Sequence, residues 1–133
     1  MNKSLRLFIV FTLFSLLIFS SCEEIDDPNE NDVRESYLGT WSCHEASGLN
    51  YNVTVQLDPS NSAQILIYNF HFQGSNEKVY CIATANNLTL PSQTYCGNTV
   101  NGSGNLVNSN KFTMLYYVND NADVETVEAT YTK

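Results

Sequence analysis

Asn50-Tyr51-Asn52-Val53-Thr54-Val55-Gln56-Leu57-Asp58 alternates polar and apolar residues without a break. Tyr51, Val53, Val55 and Leu57 fall on one face and Asn52, Thr54, Gln56 and Asp58 on the other, the period of a half-buried β-strand and not of a helix. Pro59-Ser60-Asn61 ends the run. Ala63 to Phe72 resumes it, with Ile65 and Ile67 on one side and Leu66, Tyr68, Phe70 and Phe72 on the other, so this second strand is expected to be covered on both faces.

The same pattern recurs outward from there. Gly39 to Glu45 precedes it, and Lys78 to Thr84, Leu88 to Tyr95 with a bend at Pro91, Thr99 to Val107, Lys111 to Val118 and Val124 to Thr132 come after it. Asn86-Asn87, Asn108 to Asn110 and Asn119-Asp120-Asn121 supply turns, because Asn and Asp tolerate positive φ and hydrogen-bond their own backbone. No stretch has helical period and length. Eight short antiparallel strands joined in sequence remove their free edges most simply by closing into an up-and-down barrel. The predicted fold is therefore all-β, a single small antiparallel barrel of about eight strands, with a two-sheet sandwich as the alternative. The inward set is expected to include Trp41, Val53, Val55, Leu57, Ile65, Ile67, Val79, Leu90, Phe112, Met114 and Val127. Those residues fill much of an eight-stranded interior. A ligand, if bound, is then expected at the open mouth or on an outer aromatic patch of Tyr68, Phe70, Tyr80 and Tyr117, and ordinary packing is the competing role for these rings.

Gly39-Thr40-Trp41 opens the first strand and holds the only tryptophan. It resembles the Gly-x-Trp of lipocalins and other calycins. That resemblance implies a Trp41 that plugs the closed end of the barrel, covered in the family by a basic residue from near the last strand. Such a partner is not expected here, since Arg34 falls before the domain and only Lys133 stands after the last strand. The domain is short for a lipocalin and resembles the small lipocalin-like domains of Bacteroidota-type surface lipoproteins.

The N-terminal region reads independently. Lys3 and Arg6 precede a 13-residue apolar run, Leu7 to Phe19, broken only by Thr12 and Ser15. A membrane-spanning helix needs about 20 apolar residues, whereas a short run ending in small residues fits a cleaved signal peptide; an uncleaved N-terminal anchor is the alternative. Ile18-Phe19-Ser20-Ser21-Cys22 resembles the lipobox of bacterial lipoproteins, with Phe19 where Leu is usual. The resemblance implies cleavage after Ser21 and lipidation of Cys22. Glu23, Glu24, Asp26 and Asp27 then resemble the acidic export signal of Bacteroidota-type lipoproteins, which implies an outer-membrane, cell-surface location. From Glu23 to Glu35 the chain carries seven acidic residues and little apolar bulk, the composition of a solvated spacer. The expected organisation is a signal peptide over 1–21, a lipidated tether over 22–36 and the barrel over 37–133.

Charge narrows the partners. The chain has 6 basic and 14 acidic residues, a formal net charge of −8. Loss of residues 1–21 removes Lys3 and Arg6 and makes it −10. Such a chain repels nucleic acid and anionic head groups, so membrane attachment is expected through the lipid alone. Two or more acyl chains give stable anchoring where one does not.

Cysteine and acid–base chemistry are sparse. Cys81 and Cys96 lie on consecutive strands, but a turn at Asn86-Asn87 leaves Cys96 about 13 Å beyond the residue opposite Cys81, and bridging needs Cα atoms within about 7 Å. The Cys81–Cys96 disulfide therefore depends on the bend at Pro91; a pairing through Cys43 and no disulfide at all are the alternatives. No Cys-x-x-Cys occurs, and His44 and His71 lack ligand spacing, so neither metal nor cofactor is expected. Cys43 and His44 are strand neighbours that point to opposite faces and cannot act as nucleophile and base together. Glu45, Asp58, Glu77 and Glu125 read as solvated carboxylates at strand ends and turns. Asn119 to Asp123 reads as a hairpin turn and not a calcium loop, and Gly102 and Gly104 as a bulge or a close approach within a strand. The function expected is a lipid-anchored envelope or cell-surface protein, not an enzyme, whose barrel binds a small molecule, glycan or protein. A lipocalin-like carrier of a small apolar molecule and an adhesive module presenting loops are the alternatives. A carrier needs an open apolar cavity, and a presenting module needs a filled interior with exposed apolar groups.

Overall fold

The computed structural model describes residues 31–133. Ser21, Cys22, Glu23, Glu24, Asp26 and Asp27, and with them the expected cleavage, lipidation and export signals, lie outside the described residues. A 3-10 helix, η1 (Val33–Tyr37), precedes eight strands: β1 (Gly39–Glu45), β2 (Asn50–Leu57), β3 (Gln64–Tyr68), β4 (Lys78–Thr84), β5 (Asn87–Tyr95), β6 (Asn98–Asn108), β7 (Lys111–Asn119) and β8 (Val124–Thr132). They pair antiparallel in sequence order, and β1 also pairs with β8, from Ser42↔Thr132 to Glu45↔Ala129, closing the barrel. The architecture is the all-β, eight-stranded up-and-down barrel read from the alternation, and not a sandwich.

Alternation places the core. Trp41 and Cys43 in β1, Tyr51, Val53 and Val55 in β2, Ile65 and Ile67 in β3, and Phe112, Met114 and Tyr116 in β7 all point inward and are buried. Leu57 departs from its expected place: it is the last residue of β2 and is 39% exposed, although Ile65 opposite it is buried. The second apolar run also departs. Its strand stops at Tyr68, and Phe70–Phe72 forms a second 3-10 turn, η2.

Two local devices curve the sheet. Gly102 and Gly104 face inward where β6 crosses β7; a Cβ at Gly102 would stand 2.4 Å from the Leu115 carbonyl oxygen, and one at Gly104 2.5 Å from that of Thr113. Only glycine allows that approach. In β5 the register shifts between Leu90 and Gln93, around Pro91. Proline cannot donate to a ladder, and the Gln93 amide serves instead, accepting from Tyr80 N–H at 3.1 Å and donating to the Tyr80 carbonyl at 2.9 Å.

The η1 end is sealed. Trp41 is fully buried, stands edge-on to Phe112 at 4.7 Å, and donates from Nε1 to the Tyr37 carbonyl at 2.7 Å. Asp32 caps η1 by accepting from Arg34 N–H at 3.0 Å. The Arg34 guanidinium pairs with Asp32 and donates to the carbonyls of Asn61 and Gln64, both at 3.1 Å. The expected tether boundary at residue 36 is thus too late: ordered structure begins by Asp32, because two turn carbonyls and a cap give this segment the partners its composition lacks. Lys133 corrects a second expectation. Its Nζ lies 4.2 Å from the Trp41 ring centroid, so the chain does place a cation over its tryptophan.

Candidate functional site

The opposite end of the barrel carries four connections, 46–49, 69–77, 96–97 and 120–123, and the longest of them folds back over the mouth. Phe70 enters the barrel, where it is fully buried against Tyr116 at 4.5 Å and Tyr95 at 5.9 Å between ring centroids. The Tyr95 hydroxyl donates to the Phe70 carbonyl at 2.8 Å. Holding Phe70 there turns the backbone sharply: Asn69, His71 and Phe72 take φ of 58°, 49° and 55°. Left-handed conformations cost a residue with a Cβ roughly 1–2 kcal/mol each, so contacts of the loop must hold it. Asn69 is one anchor, donating to the Asn52 carbonyl at 2.8 Å and accepting from Gly74 N–H at 2.9 Å.

His71 is the other anchor. Glu45 continues the inward phase of Trp41 and Cys43 to the end of β1 and is 1% exposed. Its Oε1 meets the hydroxyl of Tyr51 at 2.7 Å, the hydroxyl of Tyr116 at 2.9 Å and Nδ1 of His71 at 3.1 Å. Oε2 accepts from Ser47 Oγ at 3.4 Å. His71 Nδ1 also lies 3.0 Å from the Tyr116 hydroxyl, and its Nε2 faces Oε2 of Glu125, in β8, at 3.8 Å. Burial, reinforced by the Glu45 carboxylate and neighbouring tyrosines, raises the pKa of Tyr51 and Tyr116 well above the ordinary phenol range, so both remain donors. The reading of Glu45 as a solvated strand-end acid is therefore wrong. Glu125 is exposed, as expected. Outside the plug lies an open groove of about 430 Å³ lined by His71, Gln73, Asp120, Asp123 and Glu125. Phe72 and Val124 stand beside this rim 59% and 52% exposed.

Chemically, the cluster is a buried hydrogen-bond network wedged by Phe70, and Glu45 does not line the groove outside it. Among the described residues, no group of three or more His, Cys, Asp or Glu side chains is arranged to hold a metal ion. The residues singled out from sequence scatter. Tyr68 and Tyr80 are half-buried on adjacent strands, Tyr68 opposite Lys78 and Tyr80 opposite Leu66, with Lys78 Nζ 5.5 Å from the Tyr68 centroid. Phe70 is inside, and Tyr117 lies on the outer face of β7, four strands from β3. The four rings form no common patch, because the turn at Asn69 takes Phe70 off the outer face. Cys81 and Cys96 are both free, as is Cys43. Cys81 points into the core and Cys96 sits in the exposed Cys96-Gly97 turn, so the bend at Pro91 does not bring them together. Gly39 and Trp41 lie at the end of the barrel that η1 covers. The Glu45–His71 pairing was missed. Its one signal was the unbroken alternation Trp41, Cys43, Glu45, whose phase puts the carboxylate inside.

No protein-family model matches the chain, and no curated protein matches it. Among solved structures, a redesigned β-barrel is similar over 78% of this chain and 96% of its own, at 11% identity and a TM-score of 0.49.

Proposed function

We propose that this protein is a lipid-anchored envelope lipoprotein of the Bacteroidota type, held at the outer membrane through Cys22, whose lipocalin-like barrel binds a partner through its loop rim without catalysis. The N-terminal pattern supports the anchor: a short apolar run, small residues before Cys22, and carboxylates after it. The observation that carries the binding mode is the filled, plugged interior. Phe70 occupies the mouth and Trp41 the opposite end, which closes the way in for a carried apolar molecule. What the rim offers instead is an exposed Phe72, beside the Tyr51 ring, and an exposed Val124 between Asp123 and Glu125. Isolated exposed apolar residues are common, but a pair on a strained loop and a neighbouring strand start suits a contact surface. The occupant expected at that rim is a protein or a glycan.

Mass spectrometry of the protein purified from its native membrane tests this reading. The expected result is a chain beginning at Cys22 with the added mass of acyl groups, and no small molecule released on denaturation. A chain beginning at Met1 would overturn the anchor; a stoichiometric apolar molecule released on denaturation would overturn rim binding in favour of a carrier.

A further inference from the structure

We propose that the β3–β4 loop is a proton-controlled latch, in which His71 holds the Phe70 plug closed by bridging Glu45 and Glu125. The argument is one of donors. Both ring nitrogens of His71 face carboxylate oxygens, Nδ1 that of Glu45 at 3.1 Å and Nε2 that of Glu125 at 3.8 Å. An imidazolium carries an N–H on each nitrogen, whereas a neutral imidazole carries one and presents a lone pair at the other. Only the protonated ring serves both carboxylates.

The neighbours of the ring determine the effect of deprotonation. Glu45 faces it from β1, Tyr51 from β2 by way of the same Glu45 oxygen, Tyr116 from β7 and Glu125 from β8, while Asp120 and Asp123 line the groove from the β7–β8 turn. If the neutral ring keeps its proton on Nε2, Tyr116 turns its hydroxyl to Nδ1, and Glu45 Oε1 loses two of its three donors while remaining 1% exposed. If it keeps the proton on Nδ1, the Nε2 lone pair faces Glu125. The first tautomer leaves the buried Glu45 carboxylate short of donors, and the second removes the positive charge that the ring holds between the two carboxylates, at a cost that the buried Glu45 feels most. The loop is also the segment with three left-handed non-glycine residues, so weakening its anchor releases strain. Opening would move Phe72 and withdraw His71 from the groove, which regulates the rim; that consequence rests on the rim being the binding face.

Hydrogen exchange of the full-length protein tests the latch without any partner, so its failure is separable from failure of the anchor or of rim binding. The amides of Asn69, Phe72 and Gln73 bond within the loop and its base, to Glu77, Asn69 and Phe70, and report its opening. After correction for intrinsic exchange, loop protection is expected to fall about tenfold between about pH 5 and pH 8. His71→Gln, which cannot gain the proton, is expected to abolish the pH dependence, and Glu125→Gln, at a half-exposed site that leaves folding intact, to reduce it. A wild-type loop with flat protection, or a His71→Gln or Glu125→Gln loop that tracks pH as the wild type does, would overturn the proposal.

Discussion

Glu45 gathers three polar partners on a single buried carboxylate oxygen, and removing it leaves the hydroxyls of Tyr51 and Tyr116 without their acceptor. Glu45→Ala is expected to lower stability by about 3 kcal/mol, and Glu45→Gln, which keeps an acceptor oxygen, by about 1 kcal/mol; urea unfolding measures both, and equal losses would show that packing and not hydrogen bonding sets the cost. Gly102→Ala places a methyl group against the Leu115 carbonyl and the Tyr116 Cα, backbone atoms that cannot swing aside. About 3 kcal/mol is the expected loss, the upper part of the range for overpacking, and a midpoint within error of wild type would contradict the close approach. Thiol chemistry is equally position-bound. Burial pushes the pKa of Cys43 up to about 11 and that of Cys81 up to about 12, and neither is exposed. Iodoacetamide at neutral pH is therefore expected to modify Cys96 alone among the three, with Cys43 and Cys81 reacting only in denaturant, as peptide mapping would reveal.

Single elements differ in how openly the chain declares them. β1, β4 and β8 begin and end where alternation and turn residues place them, because strand faces buried on one side leave a period-two record. Phe70–Phe72 keeps that record and is not a strand. Tyr68, Phe70 and Phe72 share a parity, but the left-handed turn at Asn69 sends Phe70 inward and leaves Phe72 in solvent, and φ at a non-glycine residue leaves little trace in sequence. The Glu45–His71 contact was illegible for a related reason, since the two residues stand 26 apart and meet only because that turn folds over the mouth. η1 was hidden differently: its neighbours are acidic and hydrophilic, and its stability comes from carbonyls that exist only once the β2–β3 turn has formed. Arg34→Ala removes its bonds to Asn61 and Gln64 together with the pair to Asp32. The expected cost is about 2 kcal/mol, accompanied by a change in Trp41 emission, because Tyr37 supplies the acceptor for the indole N–H. An unchanged emission and midpoint would mean that η1 is not docked in solution.

Across the whole molecule, burial keeps an unusual number of weak acids neutral. The pKa of Tyr37 is pushed up to about 12, and those of Tyr51, Tyr95, Tyr116 and Tyr131 are raised in the same sense, with Cys43 and Cys81 beside them. Raised values in the folded state mean that the unfolded chain loses these protons first. Their contribution is complete below the ordinary values of 9.0 and 10.0 for thiol and phenol, and it is lost as pH rises beyond them through the folded-state values. The urea midpoint is expected to fall steeply above about pH 9, with tyrosinate absorbance of the buried rings rising in one step with unfolding. A gradual rise ahead of unfolding would contradict the burial of these rings. Barrel closure bears on biosynthesis as well. β1 finds half of its neighbours only in β8, and Lys133 covers a tryptophan placed 92 positions earlier. An elongating chain therefore cannot finish this domain until its last strand has been made, and through most of its synthesis it remains an unclosed ribbon with two unpaired margins. For a lipoprotein of the kind proposed, which would be threaded through a membrane before it folds, that lateness would be useful: the interval in which the chain is still threadable lasts almost as long as its translation.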